Sequence, residues 1–171
     1  MKIAVVGATG LVGRQMISVL EERSVPCSEL IPVASERSLG KTISFKGNPV
    51  PIVSLEQALL MSPDYALFSA GSALSLEYAE RFAKQGCCVI DNSSAWRMDQ
   101  NVPLVIPEVN GYVLNGHERI IANPNCSTIQ LLVALAPIHR SFGIRRMVVV
   151  TFQSVSGAGK KGYDQWMGEL K

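Results

Sequence analysis

The sequence lacks the charge asymmetry and the long apolar runs that mark nucleic-acid-binding or membrane proteins. Its 171 residues include sixteen Lys and Arg and fourteen Asp and Glu, which leaves a formal net charge of +2. The basic residues are spread along the chain, so neither nucleic acid nor an anionic membrane is indicated as a partner. No apolar run reaches the ~20 residues that span a bilayer, and residues 1–7 resemble a strand and turn instead of a signal peptide. We therefore expect a cytoplasmic protein.

Cysteine is also scarce, and the spacing of the cysteines is not that of a metal site or a disulfide framework. The four cysteines, Cys27, Cys87, Cys88 and Cys126, have no C-x-x-C spacing. This pattern suggests neither a metal site nor a disulfide framework. Because 47% of the residues are hydrophobic and 18% are charged, the composition is that of an ordinary globular protein with a real core.

Strand-like and helix-like segments alternate along the first three quarters of the chain. Strands are predicted at residues 3–6, 30–34, 42–45, 52–53, 65–69, 87–90, 120–122 and 145–155. Helices are predicted at 11–22, from 55 onward, at 74–85 and at 127–139, and prolines make 102–107 an edge or irregular strand. Nearly continuous apolar strands separated by helices indicate an α/β fold with a mostly parallel sheet covered on both faces. We place a domain boundary near residue 125, between residues 1–125 and 126–171.

A glycine-rich turn follows the first strand and opens the first helix. Residues 7–13 contain Gly7, Gly10 and Gly13 in the spacing G-x-x-G-x-x-G. Small residues let the backbone approach a pyrophosphate at a helix N-terminus, where free N–H groups and the helix dipole favour anions. The motif predicts a dinucleotide site, and the alternative is a plain tight turn between strand and helix.

The second predicted strand ends in hydroxyl and basic side chains. Ser35, Arg37 and Ser38 stand where an NAD site usually carries an acidic residue for the ribose 2′-OH. A guanidinium pairs well with a 2′-phosphate, so NADP is favoured. Glu36 keeps NAD open, and a solvated polar turn is the other interpretation.

Cys126 has a distinctive local sequence. The run 122–130 reads ANPNCSTIQ, in which a proline-containing turn leads into a predicted helix that starts beside this cysteine. A thiolate at a helix N-terminus is stabilised by the dipole and the free N–H groups, which prepares a nucleophile. On the residues alone, a buried structural cysteine is as good an interpretation, and it is the one we prefer for Cys87 and Cys88.

Five ordered motifs together resemble the aspartate-semialdehyde dehydrogenase family. They lie at residues 7–13, 89–99 (VIDNSSAWRMD), 102–110 (VPLVIPEVN), 123–130 and 153–159 (QSVSGAG), so the likeness extends along essentially the whole chain. The resemblance implies a Rossmann-like domain followed by the start of an α+β catalytic and dimerisation domain. It also implies a reductive dephosphorylation of aspartyl 4-phosphate in the biosynthesis of lysine, threonine, methionine and diaminopimelate.

The resemblance also implies roles for individual residues. Cys126 is implied to be the nucleophile that forms a thioester, which hydride from NADPH then reduces. The implied cofactor contacts are Thr9, Gly10, Leu11, Val12, Arg37, Ser38, Ser156 and Gly157. The glycine spacing and the polar turn described above add Gly7, Gly13 and Ser35 to the predicted cofactor site. Arg97 is implied to bind the substrate phosphate or inorganic phosphate, and Gln153 to orient the substrate. Asn125 has either a catalytic role, in which it positions the thiol or polarises the carbonyl, or the role of a helix cap.

The chain corresponds to the N-terminal half of the family's usual length. The histidine acid/base and the arginine for the substrate carboxylate are therefore expected elsewhere, and this stretch alone is expected to be a poor catalyst. The whole protein is expected to be a homodimer or homotetramer. Two alternatives remain, namely an enzyme like N-acetyl-glutamyl-phosphate reductase and a non-catalytic dinucleotide-binding module.

Overall fold

A computed structural model describes residues 1–155 and 159–170. The strands are β1 (Lys2–Val6), β2 (Glu29–Val33), β3 (Thr42–Phe45), β4 (Asn48–Pro51), β5 (Tyr65–Phe68), β6 (Cys88–Asp91) and β7 (Ile120–Ala122). The helices are α1 (Leu11–Glu22), α2 (Leu55–Leu60), α3 (Ser72–Lys84), α4 (Pro107–Asn110), α5 (Cys126–Phe142) and α6 (Gly159–Glu169). Single 3-10 turns occur at Glu36–Ser38 and Gly111–Val113.

Five strands form one parallel sheet in the order β2-β1-β5-β6-β7. The predicted parallel α/β sheet is therefore confirmed. The connection from β1 to β2 runs to one side of β1 and the later strands add on the other side, so the strand order reverses between β1 and β5. A ligand crevice is expected at the carboxyl ends of the strands at such a reversal.

The alternating side chains of β1 show why the sheet is buried on both faces. Ala4 and Val6 point toward the cluster that includes α2 and α3, whereas Ile3 and Val5 belong to the cluster that includes α1. Phe68 and Phe82 pack edge to face, with ring centroids 5.5 Å apart. Successive residues of a strand face opposite sides, so a nearly continuous apolar strand is the signature of a sheet covered on both sides.

Hairpin β3–β4 differs from the predicted pair of short segments. Residues 42–45 form β3 as expected, but β4 spans Asn48–Pro51 and not 52–53. The two-residue turn between them holds Lys46 at φ +50° and Gly47 at φ +76°. Positive φ at both central positions is the geometry that fits a two-residue turn to the strand twist. Val53 makes only an isolated bridge to Val33.

The predicted strand at residues 145–155 is wrong, because residues 143–154 carry no strand. Its apolar side chains are exposed: Met147, Val148, Val149, Val150 and Phe152. β-branched composition favours extended backbone, but a strand also requires a neighbouring strand to hydrogen-bond with. None of the described residues supplies one.

Residues 102–106 are irregular, with Leu104 making one bridge to Ala122. A short helix that the sequence did not predict, α4, begins at Pro107, where proline's missing N–H costs nothing. α5 is longer than expected and contains Pro137.

Candidate active site

The glycine turn after β1 is tied to the end of β2. The backbone amides of Gly7 and Ala8 both donate to the carbonyl of Val33, at 2.9 and 3.0 Å. Gly7 has φ +90°, a conformation that a side chain would strain. Gly10 is the N-cap of α1 and offers no side-chain cap, so the first N–H groups of the helix have no side-chain partner.

Two of the glycines are required by close packing of backbone on backbone. A Cβ on Gly7 would lie 2.7 Å from the carbonyl oxygen of Ser69, and one on Gly13 would lie 2.1 Å from that of Gly7. Real Cβ atoms do not approach that closely. α1 therefore starts directly against the turn, with Thr9 half-buried and with Leu11 and Val12 exposed at its start.

A cleft of about 230 Å³ opens beside this turn. It is lined by Val6, Gly7, Thr9, Val33, Ala34, Ser35, Leu55, Ala70 and Leu74. These residues follow or end β1, β2 and β5, or begin α2 and α3, so the cleft lies where the strand order reverses. Its position, beside the glycine turn at the strand reversal, is the one expected of a dinucleotide site.

The 3-10 turn Glu36–Ser38 stands next to the cleft, because Ser35 both lines the cleft and precedes the turn. Arg37 is exposed and Ser38 is half-buried. The proposed 2′-phosphate residues are thus on a surface turn directly after β2, together with Glu36.

Arg97 connects the carboxyl ends of two neighbouring strands. Its Nε donates to the carbonyl of Asn123 at 2.9 Å and its Nη2 to the carbonyl of Asn92 at 3.1 Å. Asn92 follows β6 and Asn123 follows β7, and the side-chain amide of Asn123 donates to the Asn92 side-chain oxygen at 2.6 Å. The half-buried guanidinium is therefore held at the same edge of the sheet as the cleft.

Cys126 is the first residue of α5 and its side chain is exposed. The side chain of Asn125 caps the helix by accepting from the amide of Ser127 at 3.0 Å. The same Asn125 oxygen lies 3.9 Å from the Cys126 sulfur. The predicted helix-capping role of Asn125 is thus observed. Among the described residues, the same side-chain oxygen is also the hydrogen-bond partner of the Cys126 thiol.

Three other predicted site residues belong to the C-terminal stretch. The Gln153 amide donates to the Thr151 hydroxyl at 3.2 Å, and no hydrogen bond among residues 1–155 joins it to Cys126. Ser156 and Gly157 lie outside the described residues. Their assigned roles stay predictions.

The sequence interpretation missed the residues that hold this edge together. Asn92 and Asn123 stand in motifs that it quoted, yet neither was assigned a contact. Arg14 was missed as well: its Nε donates to the carbonyl of Thr9 at 3.1 Å and supports the glycine turn. An arginine one residue after the last glycine was the available signal.

The remaining cysteines differ from Cys126 in their surroundings. Burial raises the pKa of the Cys87 thiol to about 12 and also raises the pKa of Cys88. Cys27 is buried as well.

No group of three His, Cys, Asp or Glu residues suited to a metal ion occurs in the described part of the chain. Within that part, every helix is too short or too polar to traverse a bilayer.

These features define a dinucleotide-binding domain of the Rossmann class. They are the parallel sheet, the glycine turn that leads into a helix N-terminus, and the crevice at the strand reversal. The sequence family described as "Semialdehyde dehydrogenase, NAD binding domain" matches residues 2–117. The chain belongs to this family.

The chain is also similar to several proteins named aspartate-semialdehyde dehydrogenase, which confirms the resemblance seen in its motifs. The protein of that name from Aquifex aeolicus is 53% identical over 173 residues, covering 99% of this chain and 51% of that protein. Crystal structures of aspartate semialdehyde dehydrogenase II from Vibrio cholerae, one complexed with ASA, have a TM-score of 0.91 and 50% identity. They cover 98% of this chain and 50% of theirs.

A more distant structure was solved with the nucleotide. The aspartate semialdehyde dehydrogenase with NADP from Candida albicans has a TM-score of 0.64 and 26% identity, covering 84% of this chain and 48% of its own. The chain spans about half the length of the curated relatives that it matches.

Proposed function

We propose that this chain is the cofactor-binding part, with the nucleophilic cysteine attached, of an NADP-dependent aspartate-semialdehyde dehydrogenase. One observation carries the proposal: the nucleotide cleft, Arg97 and Cys126 all belong to the carboxyl edge of one parallel sheet. Arg97 bonds to Asn123, three residues before Cys126. We also propose that the cofactor-binding domain ends near residue 125 and that a catalytic and dimerisation domain begins there, in a protein that forms homodimers or homotetramers.

In the reductive direction, the Cys126 thiolate attacks the acyl carbon of aspartyl 4-phosphate. A carbon–sulfur bond forms and the bond from that carbon to the phosphate oxygen breaks. The departing phosphate is received by Arg97, whose planar fork suits it. NADPH, when bound, supplies the hydride that reduces the acyl group, after which the carbon–sulfur bond breaks and the aldehyde is released. Splitting the reaction at a covalent stage replaces one difficult step with two easier ones.

The test of the nucleophile is a substitution in the complete natural protein. Cys126→Ser should lower phosphate-dependent reduction of NADP with aspartate semialdehyde by at least about 10³-fold, because a serine hydroxyl is far less nucleophilic than a thiolate. The matched control, Cys88→Ser in β6, should stay near the parent rate. Full activity in Cys126→Ser would refute the assignment.

The same assay addresses the alternatives. Turnover with the N-acetyl-glutamyl semialdehyde instead of aspartate semialdehyde would favour the reductase. Nucleotide binding without turnover on either aldehyde would favour a non-catalytic module.

The preference for NADP is proposed from Ser35, Arg37 and Ser38 beside the cleft, and the Candida albicans structure with NADP supports it. A hydrogen bond to a charged group contributes ~1.5–3 kcal/mol. Arg37→Ala should therefore weaken NADP binding about 10- to 100-fold in calorimetry and leave NAD binding nearly unchanged. Arg23→Ala, at the far end of α1, is the matched charge control. Equal losses for the two nucleotides would contradict the proposal.

A further inference from the structure

Asp91 is a buried carboxylate that the proposed reaction does not use. It ends β6 and has no exposed surface, although Val89, two residues earlier on the same face, is an ordinary core residue. One oxygen, Oδ1, has no hydrogen-bond partner in the part of the chain that the structure describes. Burying a carboxylate is costly, so an apolar residue would suit this position better if packing were its only role.

The other carboxylate oxygen organises the turn that follows. The Ser93 hydroxyl donates to Asp91 Oδ2 at 2.6 Å and accepts from the amide of Ala95 at 3.1 Å. A hydrogen bond this short fixes the orientation of the hydroxyl that donates it. The carboxylate thus orients Ser93, and Ser93 orients the backbone two residues before Arg97.

Asp91 and Arg97 also hold the same residue of the neighbouring strand end. The amide of Asn123 donates to the backbone carbonyl of Asp91 at 2.8 Å, and its carbonyl accepts from Arg97 Nε at 2.9 Å. The turn from Asp91 to Arg97 is therefore hydrogen-bonded to Asn123 at both of its ends.

We propose that Asp91 is a positioning residue that acts through Ser93 to hold the Arg97 guanidinium where phosphate is bound. The inference rests on the proposed function only for the identity of the ligand. The placement of Arg97 by Asp91 and Ser93 can be measured without any activity.

The kinetic test uses the complete natural protein and compares Ser93→Ala, Asp91→Ala and Asp91→Asn. Loss of one orienting hydrogen bond should raise the KM for inorganic phosphate about three- to tenfold in the first two variants, with the KM for NADP unchanged. Asp91→Asn retains an oxygen that can accept from Ser93 and should recover most of the phosphate affinity. Ser94→Ala is the control, because the Ser94 hydroxyl pairs with Ser72 instead.

The structural test follows the Arg97 Nε–H resonance in the same variants by NMR. We expect a slowly exchanging signal in the parent and in Asp91→Asn, and a weakened or shifted signal in Ser93→Ala. If Ser93→Ala leaves this signal unchanged, or raises both KM values together, the positioning role is overturned; if Asp91→Ala does not fold, Ser93→Ala still decides.

The Arg97→Ala variant separates failure of this inference from failure of the proposed function. An unchanged phosphate KM in Arg97→Ala, with the Nε–H signal still dependent on Ser93, removes phosphate as the ligand and keeps the positioning. If Arg97→Ala raises the phosphate KM and the additional Ser93→Ala change raises it no further, the positioning role and the proposed function are both supported.

Discussion

Helices α1 and α5 both start at the carboxyl edge of the sheet, yet they differ in what they bury. α1 buries Gly13, Ile17 and Leu20 against β1 and β2, whereas the 17 residues of α5 include no buried side chain. The same contrast holds for the regions around them. Among the residues whose burial is described, the hydrophobic core ends at Ala122, and none of residues 126–155 or 162–170 is buried.

The contrast shows that local sequence and tertiary packing are separate requirements. The sequence of α5, CSTIQLLVALAPIHRSF, is apolar around much of its circumference, a composition typical of helices that other elements cover. α1 has a polar side and an apolar side, and the sheet covers the apolar one. The region up to Ala122 is therefore stabilised by its own core, whereas the described residues from Cys126 onward form none.

Hydrogen exchange on the 171-residue chain should show the largest difference between the two regions. Amides of β1, β5 and β6 should exchange at least about 10³-fold more slowly than those of α5, because their opening requires loss of the core, whereas α5 can open alone. Mass spectrometry of peptic fragments measures this ratio. Equal protection of α5 and β1 would refute the division into two regions.

Thiol reactivity should differ almost as much. Burial raises the pKa of Cys87 from an ordinary 9.0 to about 12, so at any pH below 9 its thiolate fraction is about 10³-fold lower than that of an ordinary thiol. Cys126 is exposed, so iodoacetamide should label it at least about 10³-fold faster than Cys87.

The rate at Cys87 should rise about tenfold per pH unit up to its raised pKa, because only the thiolate reacts. Unfolded protein is the control, in which all four cysteines should label at similar rates. If Cys27, Cys87 or Cys88 labels first in the folded chain, Cys126 is not the activated thiol.

The fold of the first region was largely predictable because its signals are local. α1 was predicted at about residues 11–22, where it is observed, from apolar spacing after a glycine turn. The parallel sheet followed from alternating strands and helices. The position of β4 was predicted wrongly because the turn before it has Lys46 at a positive φ, which a lysine does not indicate. Residues 145–155 were misjudged because strand formation depends on a partner distant in sequence, which composition does not encode.

The candidate site was predictable to a similar extent. The glycine turn and the position of Cys126 at a helix start were predicted from their motifs, since each combines a turn with a helix start. The Asp91–Ser93 bond and the Asn92–Asn123 bond were not. Asn92 and Asn123 are 31 residues apart, and only the pairing of β6 with β7 brings them together, so no local pattern could reveal their contact.

Two glycine substitutions make the smallest and most closely matched comparison of the regions. A Cβ on Gly13 would collide with the backbone of Gly7, whereas one on Gly168 in α6 would meet nothing within 4 Å. Overpacking against backbone costs about 3 kcal/mol, so Gly13→Ala should lower the Tm by about 10 °C. Gly168→Ala should leave it unchanged, because the ~0.5–1 kcal/mol that alanine adds to a helix acts on a region outside the core. Differential scanning calorimetry of both variants measures the shifts. Similar Tm values for the two would mean that α1 does not pack on the glycine turn as closely as the structure shows, and a clear rise in Gly168→Ala would mean that α6 unfolds together with the core.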